Sequence, residues 1–303
     1  MSLNSKPLVS IVLSTYNGEK YLEAQLDTLI HQTYPNLEIL VLDDGSKDNT
    51  REILLNYKVK YPEIRIEFNE KNLGYIKNFE KGFLLSKGEF ISFCDQDDVW
   101  DLKKTEILMN EIGDKPLIFC DVSTVNADMI GPGTRQSELV NTMSVDSCLY
   151  FLVSNVVAGN SLMVRRDLLV KAYPFPESVP HDLWCCFQAT FHGGIKYHPV
   201  SLLKWRRHPQ AQTGAWKEKK ERIKETIHIL NTFYAHCPDI KQYEKKVIGF
   251  VLASYQSFSF LNNLNRVYLF LRYQKFLLGF KKRNKFRKFL YCFKMFYEPK
   301  LHG

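Results

Sequence analysis

Residues 8–46 read LVSIVLSTYNGEKYLEAQLDTLIHQTYPNLEILVLDDGS, in which two apolar runs flank a stretch of helical pattern. The runs LVSIVLSTY and LEILVL are rich in β-branched and apolar residues, which predicts buried strands. Between them, apolar residues recur at helical spacing from Tyr21 to Ile30. A strand, a helix and a second strand in this order predict the beginning of a mostly parallel sheet.

The same alternation continues to about residue 125. EIRIEF, EFISFC and PLIFCDVSTV predict three further strands, with helical patterns between them. The sequence therefore predicts an α/β fold with helices on both faces of the sheet. Ligands of such folds bind beyond the carboxyl ends of the strands. Three polar clusters fall at these ends, namely STYNGE, DDGS and DQDD.

The DQDD cluster lies in ISFCDQDDVW, residues 91–100, where three carboxylates end an apolar strand. Unpaired charges at the edge of a core are costly, so these carboxylates need a cation, donors or water. Asp95 and Asp97 are spaced so that both can reach one Mg²⁺ or Mn²⁺ ion, a metal that shares its coordination with substrate phosphates. The alternative is a solvated acidic turn that caps the next helix through Asp98 or Asp101.

Two common phosphate-binding signatures are missing. Strand one is not followed by G-x-G-x-x-G, and the chain has no G-x-x-x-x-G-K-[ST]. Nicotinamide-dependent and P-loop enzymes are therefore disfavoured. A diphosphate bound by this chain needs another means of neutralisation, for which a metal held by carboxylates is the obvious candidate.

Two residues later in the chain each allow a functional and a structural interpretation. Asp182, in HDLW, precedes an apolar helical run and is either a helix N-cap or a general base at a helix start. His208, in KWRRHPQAQTGAW, is either structural or a contact to a phosphate or metal.

Composition bounds the remaining possibilities. The 303 residues are 45% hydrophobic and carry a net charge of +8, without an apolar run of membrane-spanning length or a signal-peptide pattern. The seven cysteines are scattered, which disfavours a disulfide framework or a zinc site. These features predict a cytoplasmic protein.

The positive charge is concentrated near the C-terminus. From Arg266 onward there are eleven Lys or Arg residues and one acidic residue, Glu298, interleaved with Phe, Leu and Tyr. Such a segment can lie on an anionic membrane surface. It can equally be a packed helical cap with a solvated basic face. No nucleic-acid recognition motif accompanies the charge, so nucleic acid is not an expected partner.

Taken in order, these motifs resemble the family 2 inverting glycosyltransferases, which have a GT-A fold. The resemblance covers roughly residues 7–215 and includes NLGYIKNFEKG, GNSLMVRR and HDLWCCFQATFHGG. It implies a nucleotide-sugar-binding catalytic domain over residues 1–215 and a helical, basic and aromatic region over residues 216–303.

The resemblance also implies roles for individual residues. Asp182 matches the catalytic base, Asp95 and Asp97 match the D-x-D pair toward ribose and metal, and His208 matches a loop residue that reaches the metal or diphosphate. The positions that match nucleotide or donor contacts are Thr15, Tyr16, Asn17, Glu19, Asp44, Asn72, Lys77, Asn78 and Arg206.

The DQDDVW motif is similar to that of bacterial rhamnosyltransferases of capsule or cell-wall polysaccharide synthesis. This implies a dTDP-sugar donor, with a UDP-sugar as the alternative, and a saccharide acceptor carried on a lipid at the inner face of the cell membrane. The chain departs from the pattern at HDLW, where relatives have HDWW, and at Pro209, which replaces a glycine. Two other functions stay open: a non-catalytic binding or assembly subunit with the same fold, and a metal-dependent nucleotidyltransferase.

Overall fold

The computed structural model describes residues 6–131, 133–208 and 218–302. Its strands and helices alternate through the first half of the chain, and the second half ends in helices only. The strands are β1 Val9–Thr15, β2 Leu37–Asp43, β3 Arg65–Phe68, β4 Phe90–Asp95, β5 Val99–Trp100, β6 Leu117–Val125, β7 Thr134–Arg135, β8 Leu162–Arg165 and β9 Ile195–Arg206. The helices are α1 Leu22–Ile30, α2 Thr50–Lys60, α3 Tyr75–Leu85, α4 Lys104–Glu111, α5 Gln136–Leu139, α6 Arg166–Ala172, α7 His181–Ala189, α8 Lys219–His236, α9 Gln242–Gln256, α10 Phe260–Arg272, α11 Gln274–Leu277 and α12 Lys285–Lys294.

The strands form one curled sheet in the order β3-β2-β1-β4-β8-β6-β9-β5, with β7 paired to β6. Strands β3, β2, β1 and β4 are parallel, and so are β6 and β9. The predicted mostly parallel α/β sheet is therefore confirmed. Strand β8 lies antiparallel between β4 and β6, and the short β5 runs antiparallel to β9; neither was predicted.

Both faces of the sheet are covered, because alternate side chains of each strand enter different cores. In β4, Ile91 and Phe93 belong to one hydrophobic cluster, while Phe90 and Cys94 belong to the other. This is the burial that the near-continuous apolar runs of the sequence predict.

The C-terminal helices share the first of these clusters with the sheet. Phe187 of α7 stacks on Phe233 of α8, with ring centroids 4.0 Å apart. Arg266 is fully buried and donates to the carbonyl of Ser254 at the end of α9. The basic segment is thus partly interior, and the region packs as a cap on the sheet domain. Among the described residues, no helix combines the length and apolar character needed to cross a bilayer.

Candidate active site

The ends of β1, β2 and β4 bring the predicted polar clusters to one edge of the sheet. Thr15 aligns with Asp43 of β2, and Ser14 aligns with Asp95 of β4. Parallel pairing forces the residues that follow these strands onto the same side. The sequence prediction that the clusters meet there is confirmed.

Asn17 and Glu19 tie the loop after β1 to the loop after β2. Asn17 has a positive φ of 49°, and its side-chain oxygen accepts a 2.8 Å hydrogen bond from the Lys47 amide. The Glu19 carboxylate accepts a 2.9 Å bond from the Asn49 amide. Both side chains line the predicted nucleotide edge, and both have a structural role there. Tyr16 stands beside them, 42% exposed.

Gln96, between the two carboxylates of the D-x-D pair, fastens this turn to the end of β1. Its side-chain oxygen accepts bonds from the Thr15 hydroxyl at 2.5 Å and the Tyr16 amide at 2.8 Å, and its amide donates to the Tyr16 carbonyl at 3.0 Å. A Cβ at Gly18 would collide with that oxygen. Sequence reasoning missed Gln96, although its place within DQDD was a usable signal.

Asp44 is the centre of a buried network behind the edge. Its carboxylate accepts from the Asn69 side chain at 2.8 Å and from the amides of Leu73 and Gly74 at 2.8 and 3.0 Å. Asn69 also donates to the side chain of Asn78. Asp44 therefore fixes the loop before α3. Its predicted contact to a base stays a prediction, and Asn69 was not anticipated.

The other residues predicted near the diphosphate are also placed by this loop and helix. Asn72 accepts a 2.9 Å bond from the amide of Gly74. Asn78 is fully buried and donates to the hydroxyl of Ser14 at 2.7 Å. Lys77 donates to Glu80 at 2.9 Å and to the carbonyl of Phe175 at 3.2 Å. Hence Asn78 positions α3 against β1, and Lys77 would have to leave these partners to bind a diphosphate.

The three carboxylates of DQDD have different surroundings. Asp98 is fully buried and accepts from the side chain of Asn160 and from the amide of Arg206 at 3.0 Å. Asp97 accepts a 2.8 Å bond from Nε2 of His208. Burial, with the charges of Asp97 and Asp182, raises the pKa of Asp95 to about 7. The alternative of a solvated capping turn is therefore wrong for Asp98, which joins the turn to β9.

Asp182 lies in the first turn of α7, one residue after the helix begins. The N-cap is Pro180, so the N-cap interpretation of Asp182 is wrong. Its carboxylate accepts a 3.1 Å bond from Asn155 and a 2.7 Å bond from the Leu183 amide. Burial outweighs these donors and raises the pKa of Asp182 to about 6. Asn155 was missed, because nothing in its local sequence marks it.

Two aromatic side chains lie near the start of α7. The ring of Tyr75 lies 6.0 Å from that of His181, and the pKa of Tyr75 is raised by burial and then by the charges of Asp182 and Asp95. His181 packs on Phe79 with ring centroids 4.3 Å apart, and burial lowers the pKa of His181 to about 3. The histidine beside the candidate base is thus neutral and apolar in its contacts.

Known proteins resemble this chain in sequence and in fold. The model of the family described as glycosyl transferase family 2 matches residues 10–170, more than half of the chain. The chain belongs to glycosyl transferase family 2. An uncharacterised glycosyltransferase of Rickettsia typhi is 31% identical over 222 residues, which cover 68% of this chain and 66% of the relative.

Two solved structures show the fold of this glycosyltransferase. Residues 1–349 of S. aureus TarS, in complex with UDP-GlcNAc, align with a TM-score of 0.63 at 18% identity, covering 89% of this chain and 81% of that TarS chain. A mannosyltransferase from Pyrobaculum calidifontis, in complex with GDP-mannose and Mn²⁺, aligns with a TM-score of 0.54 at 17% identity, covering 86% and 72%. The GT-A fold predicted from the sequence is confirmed.

Asp97 and His208 are the side chains of this glycosyltransferase best placed to hold a divalent metal. Nε2 of His208 and a carboxylate oxygen of Asp97 are hydrogen-bonded to each other, and both kinds of atom bind metals, so a cation could take a place between them. Nδ1 of His208 is buried without a partner among the described residues. The described chain has no cluster of three histidine, cysteine or carboxylate ligands. A magnesium-type site that keeps water and substrate phosphates in its remaining positions needs only one or two protein ligands, so the residues fit such a site.

Arg206 and Lys104 hold the acidic turn from behind. Arg206 donates to the Asp97 carbonyl at 2.7 Å, and its guanidinium lies 4.3 Å from the ring centroid of Tyr21. Lys104 is fully buried and donates to the Asn160 carbonyl at 2.6 Å. Burial lowers the pKa of Lys104 to about 8, while nearby Asp98 acts in the opposite direction. Arg206 was predicted as a donor contact, which stays a prediction. Lys104 was missed, since its sequence neighbour Lys103 looks the same.

Proposed function

We propose that the chain is an inverting glycosyltransferase that moves a sugar from a nucleoside diphosphate to a hydroxyl of a saccharide acceptor. The observation that carries the proposal is a contact between α7 and β4: the ring of His181, next to Asp182, packs on Phe93 with ring centroids 5.0 Å apart. This contact brings the start of α7 to β4, the strand whose end carries the pair of Asp95 and Asp97. The pair belongs to the strand-end edge that fits a diphosphate and its cation. Asp182 lies in the first turn of a different element, α7, where it can accept a proton from the acceptor.

In the proposed reaction, Asp182 accepts the proton of the acceptor hydroxyl. The hydroxyl oxygen forms a bond to the anomeric carbon while the bond from that carbon to the diphosphate oxygen breaks. The nucleoside diphosphate leaves from the opposite face, so the configuration inverts. A pKa of about 6 for Asp182 suits a general base, because the group is ionised at neutral pH yet more basic than an ordinary carboxylate.

Asp97 and His208, with Asp95 beside them, would hold Mg²⁺ or Mn²⁺. A bound cation supplies charge neutralisation for a departing diphosphate. The raised pKa of Asp95 reflects burial and then the charges of Asp97 and Asp182, and a cation in this place would offset that negative charge.

For the donor, the resemblance of DQDDVW favours dTDP-rhamnose, while the ligand in the TarS structure supports a UDP-sugar. Titration calorimetry with dTDP and UDP, each with and without Mn²⁺, separates these donors. Metal-dependent binding of one nucleotide supports the site and selects the base. Failure of both nucleotides to bind would favour a non-catalytic subunit.

Turnover is tested by Asp182→Asn. General-base assistance is typically about 10²–10⁴-fold, so the variant should lose activity on that scale while it keeps nucleotide affinity. Nucleoside diphosphate should be the released product, whereas release of pyrophosphate would indicate a nucleotidyltransferase. Wild-type turnover in the Asn variant would remove Asp182 from the mechanism.

A saccharide acceptor linked to a lipid would place the enzyme at the inner membrane surface, as in capsule or cell-wall polysaccharide synthesis. Helix α12 supports this proposal through an exposed apolar stripe flanked by cations, among them Lys285 and Arg287. The stripe consists of Phe286, Phe289, Leu290 and Phe293, which are 46–69% exposed. Spacings of three and four residues put them on one face of the helix, as in helices that lie in a membrane interface.

Liposome flotation of wild type against Phe289→Ser/Phe293→Ser tests this contact. Truncation is unsuitable, because Leu277 and Leu278 belong to the shared core. The serine variant should no longer float with anionic vesicles, while Leu84→Ser, an exposed apolar residue of α3, should float like wild type. Equal flotation of all three proteins would mean that the apolar stripe of α12 does not contact the membrane and belongs to a packed helical cap.

A further inference from the structure

A pocket of about 340 Å³ lies between the loop after α5 and the start of α12, among residues that the proposed reaction does not use. We refer to it as the basic pocket. Its lining residues are Asn141, Lys281, Lys282, Arg283, Asn284 and Lys288. Four of the six are cations, two are amides, and none is a carboxylate.

Backbone and side-chain bonds hold these lining residues in place. Val140 and Lys281 form an antiparallel bridge, and the Asn141 amide donates to the Phe280 carbonyl at 2.8 Å. The side chain of Lys282 donates to the Ser137 carbonyl at 2.8 Å. The cations are therefore gathered by the fold, not only by their proximity in the sequence.

The gathered charge has little compensation from the surrounding segment. Glu298 is the one acidic residue from Arg266 to the end of the chain, and it pairs with Lys294 at 2.9 Å. Burial, followed by the charges of Lys281 and Lys288, lowers the pKa of nearby Lys300 to about 8. A bound anion would relieve this repulsion.

We propose that the basic pocket binds a phosphoryl group, as a phosphate or diphosphate. Such an anion accepts several charge-assisted hydrogen bonds at once, from lysine ammonium groups and from the fork of Arg283. The pocket is a shallow depression that is largely open to solvent, which suits a phosphate or a headgroup better than a whole nucleotide sugar. The group can come from a lipid headgroup or from a soluble phosphate.

Titration of the full-length chain with pyrophosphate tests the proposal. A chelator is included, so that diphosphate cannot enter the active site with a metal. The pocket variant is Lys281→Gln/Lys288→Gln, and the matched control is Lys246→Gln/Lys275→Gln, which removes the same charge from exposed positions outside the pocket. Hydrogen bonds to charged groups contribute enough that the pocket variant should lose roughly tenfold or more in affinity, and the control should bind like wild type.

Vesicles distinguish the two sources of the phosphoryl group. Phosphatidylcholine vesicles with and without phosphatidic acid are used for sedimentation of the same three proteins. If the pocket variant alone loses its preference for phosphatidic acid, the pocket accepts a lipid headgroup. If it loses pyrophosphate binding but keeps that preference, the pocket serves a soluble phosphorylated ligand.

The proposal is overturned if the pocket variant and the control weaken pyrophosphate binding equally, since the charge would then act diffusely. It is equally overturned if wild type binds neither pyrophosphate nor phosphatidic acid. A measurement without variants guards against misfolding. Pyrophosphate should raise the melting temperature of wild type, and sodium chloride at the same ionic strength should not.

Discussion

The environment of Asp182 leads to a prediction for its neighbour, Asn155. The Asn155 side chain donates to the Asp182 carboxylate at 3.1 Å and stabilises its ionised form. In wild type, the pKa of Asp182 is about 6. The acid limb of kcat/KM should therefore have its inflection near that pH, because kcat/KM reports ionisations of the free enzyme.

Asn155→Leu removes the donor without adding a charge. A hydrogen bond to a charged group contributes about 1.5–3 kcal/mol, and one pKa unit corresponds to about 1.4 kcal/mol. The pKa of Asp182 should thus rise by about one to two units. Activity at pH 6 should fall by roughly tenfold, and much of it should return near pH 9, where the carboxylate is again ionised.

The assay is the pH profile of initial rates with saturating metal, together with nucleotide affinity at each pH. Asn155 also bonds to the backbone of Val157, so a purely structural role would lower the rate at every pH and leave the inflection unmoved. That result would refute the reasoning. An inflection that moves to lower pH would refute it as well.

Three further predictions concern the acidic edge. Lys104→Met removes the buried ammonium that donates to the Asn160 carbonyl, so urea denaturation should show a loss of about 1–3 kcal/mol; an unchanged free energy of unfolding would mean that this bond does not stabilise the fold. Gly18→Ala should displace the side chain of Gln96 and weaken nucleotide binding by roughly tenfold or more, measured by calorimetry against Val59→Ala, a change at an exposed position of α2. Because Asp95 has a pKa of about 7 and must be ionised beside a metal, Mn²⁺ affinity should increase between pH 6 and 8 with release of a proton. Calorimetry in buffers of different ionisation enthalpy detects that proton, and identical heats would contradict it.

The sequence predicted the sheet and the meeting of its polar strand ends, because both follow from local periodicity and parallel pairing. β1, β2 and β4 are largely apolar, and their parallel register brings the residues that follow them to one edge of the sheet. The antiparallel insertion of β8 could not be predicted, because its four residues pair with strands far away in the chain.

For the site, sequence reasoning found most of the charged residues and missed the side chains that position them. Gln96, Asn69 and Asn155 act through side-chain hydrogen bonds to residues that lie 80, 25 and 27 positions away in the chain. Such contacts leave no periodic trace in a sequence. Lys104 could not be singled out in the sequence, because only its burial in the folded protein distinguishes it from Lys103.

Helix α7 connects two regions that the sequence presents as separate. Its first turn carries Asp182, and Phe187, five residues later and about 7.5 Å along the axis, stacks on Phe233 of the C-terminal cap. The position of the candidate base therefore depends on a helix that packs against the C-terminal cap. A chimera that exchanged residues 218–302 for those of a relative would disturb turnover before nucleotide affinity, because the donor edge rests on β1, β2 and β4 instead.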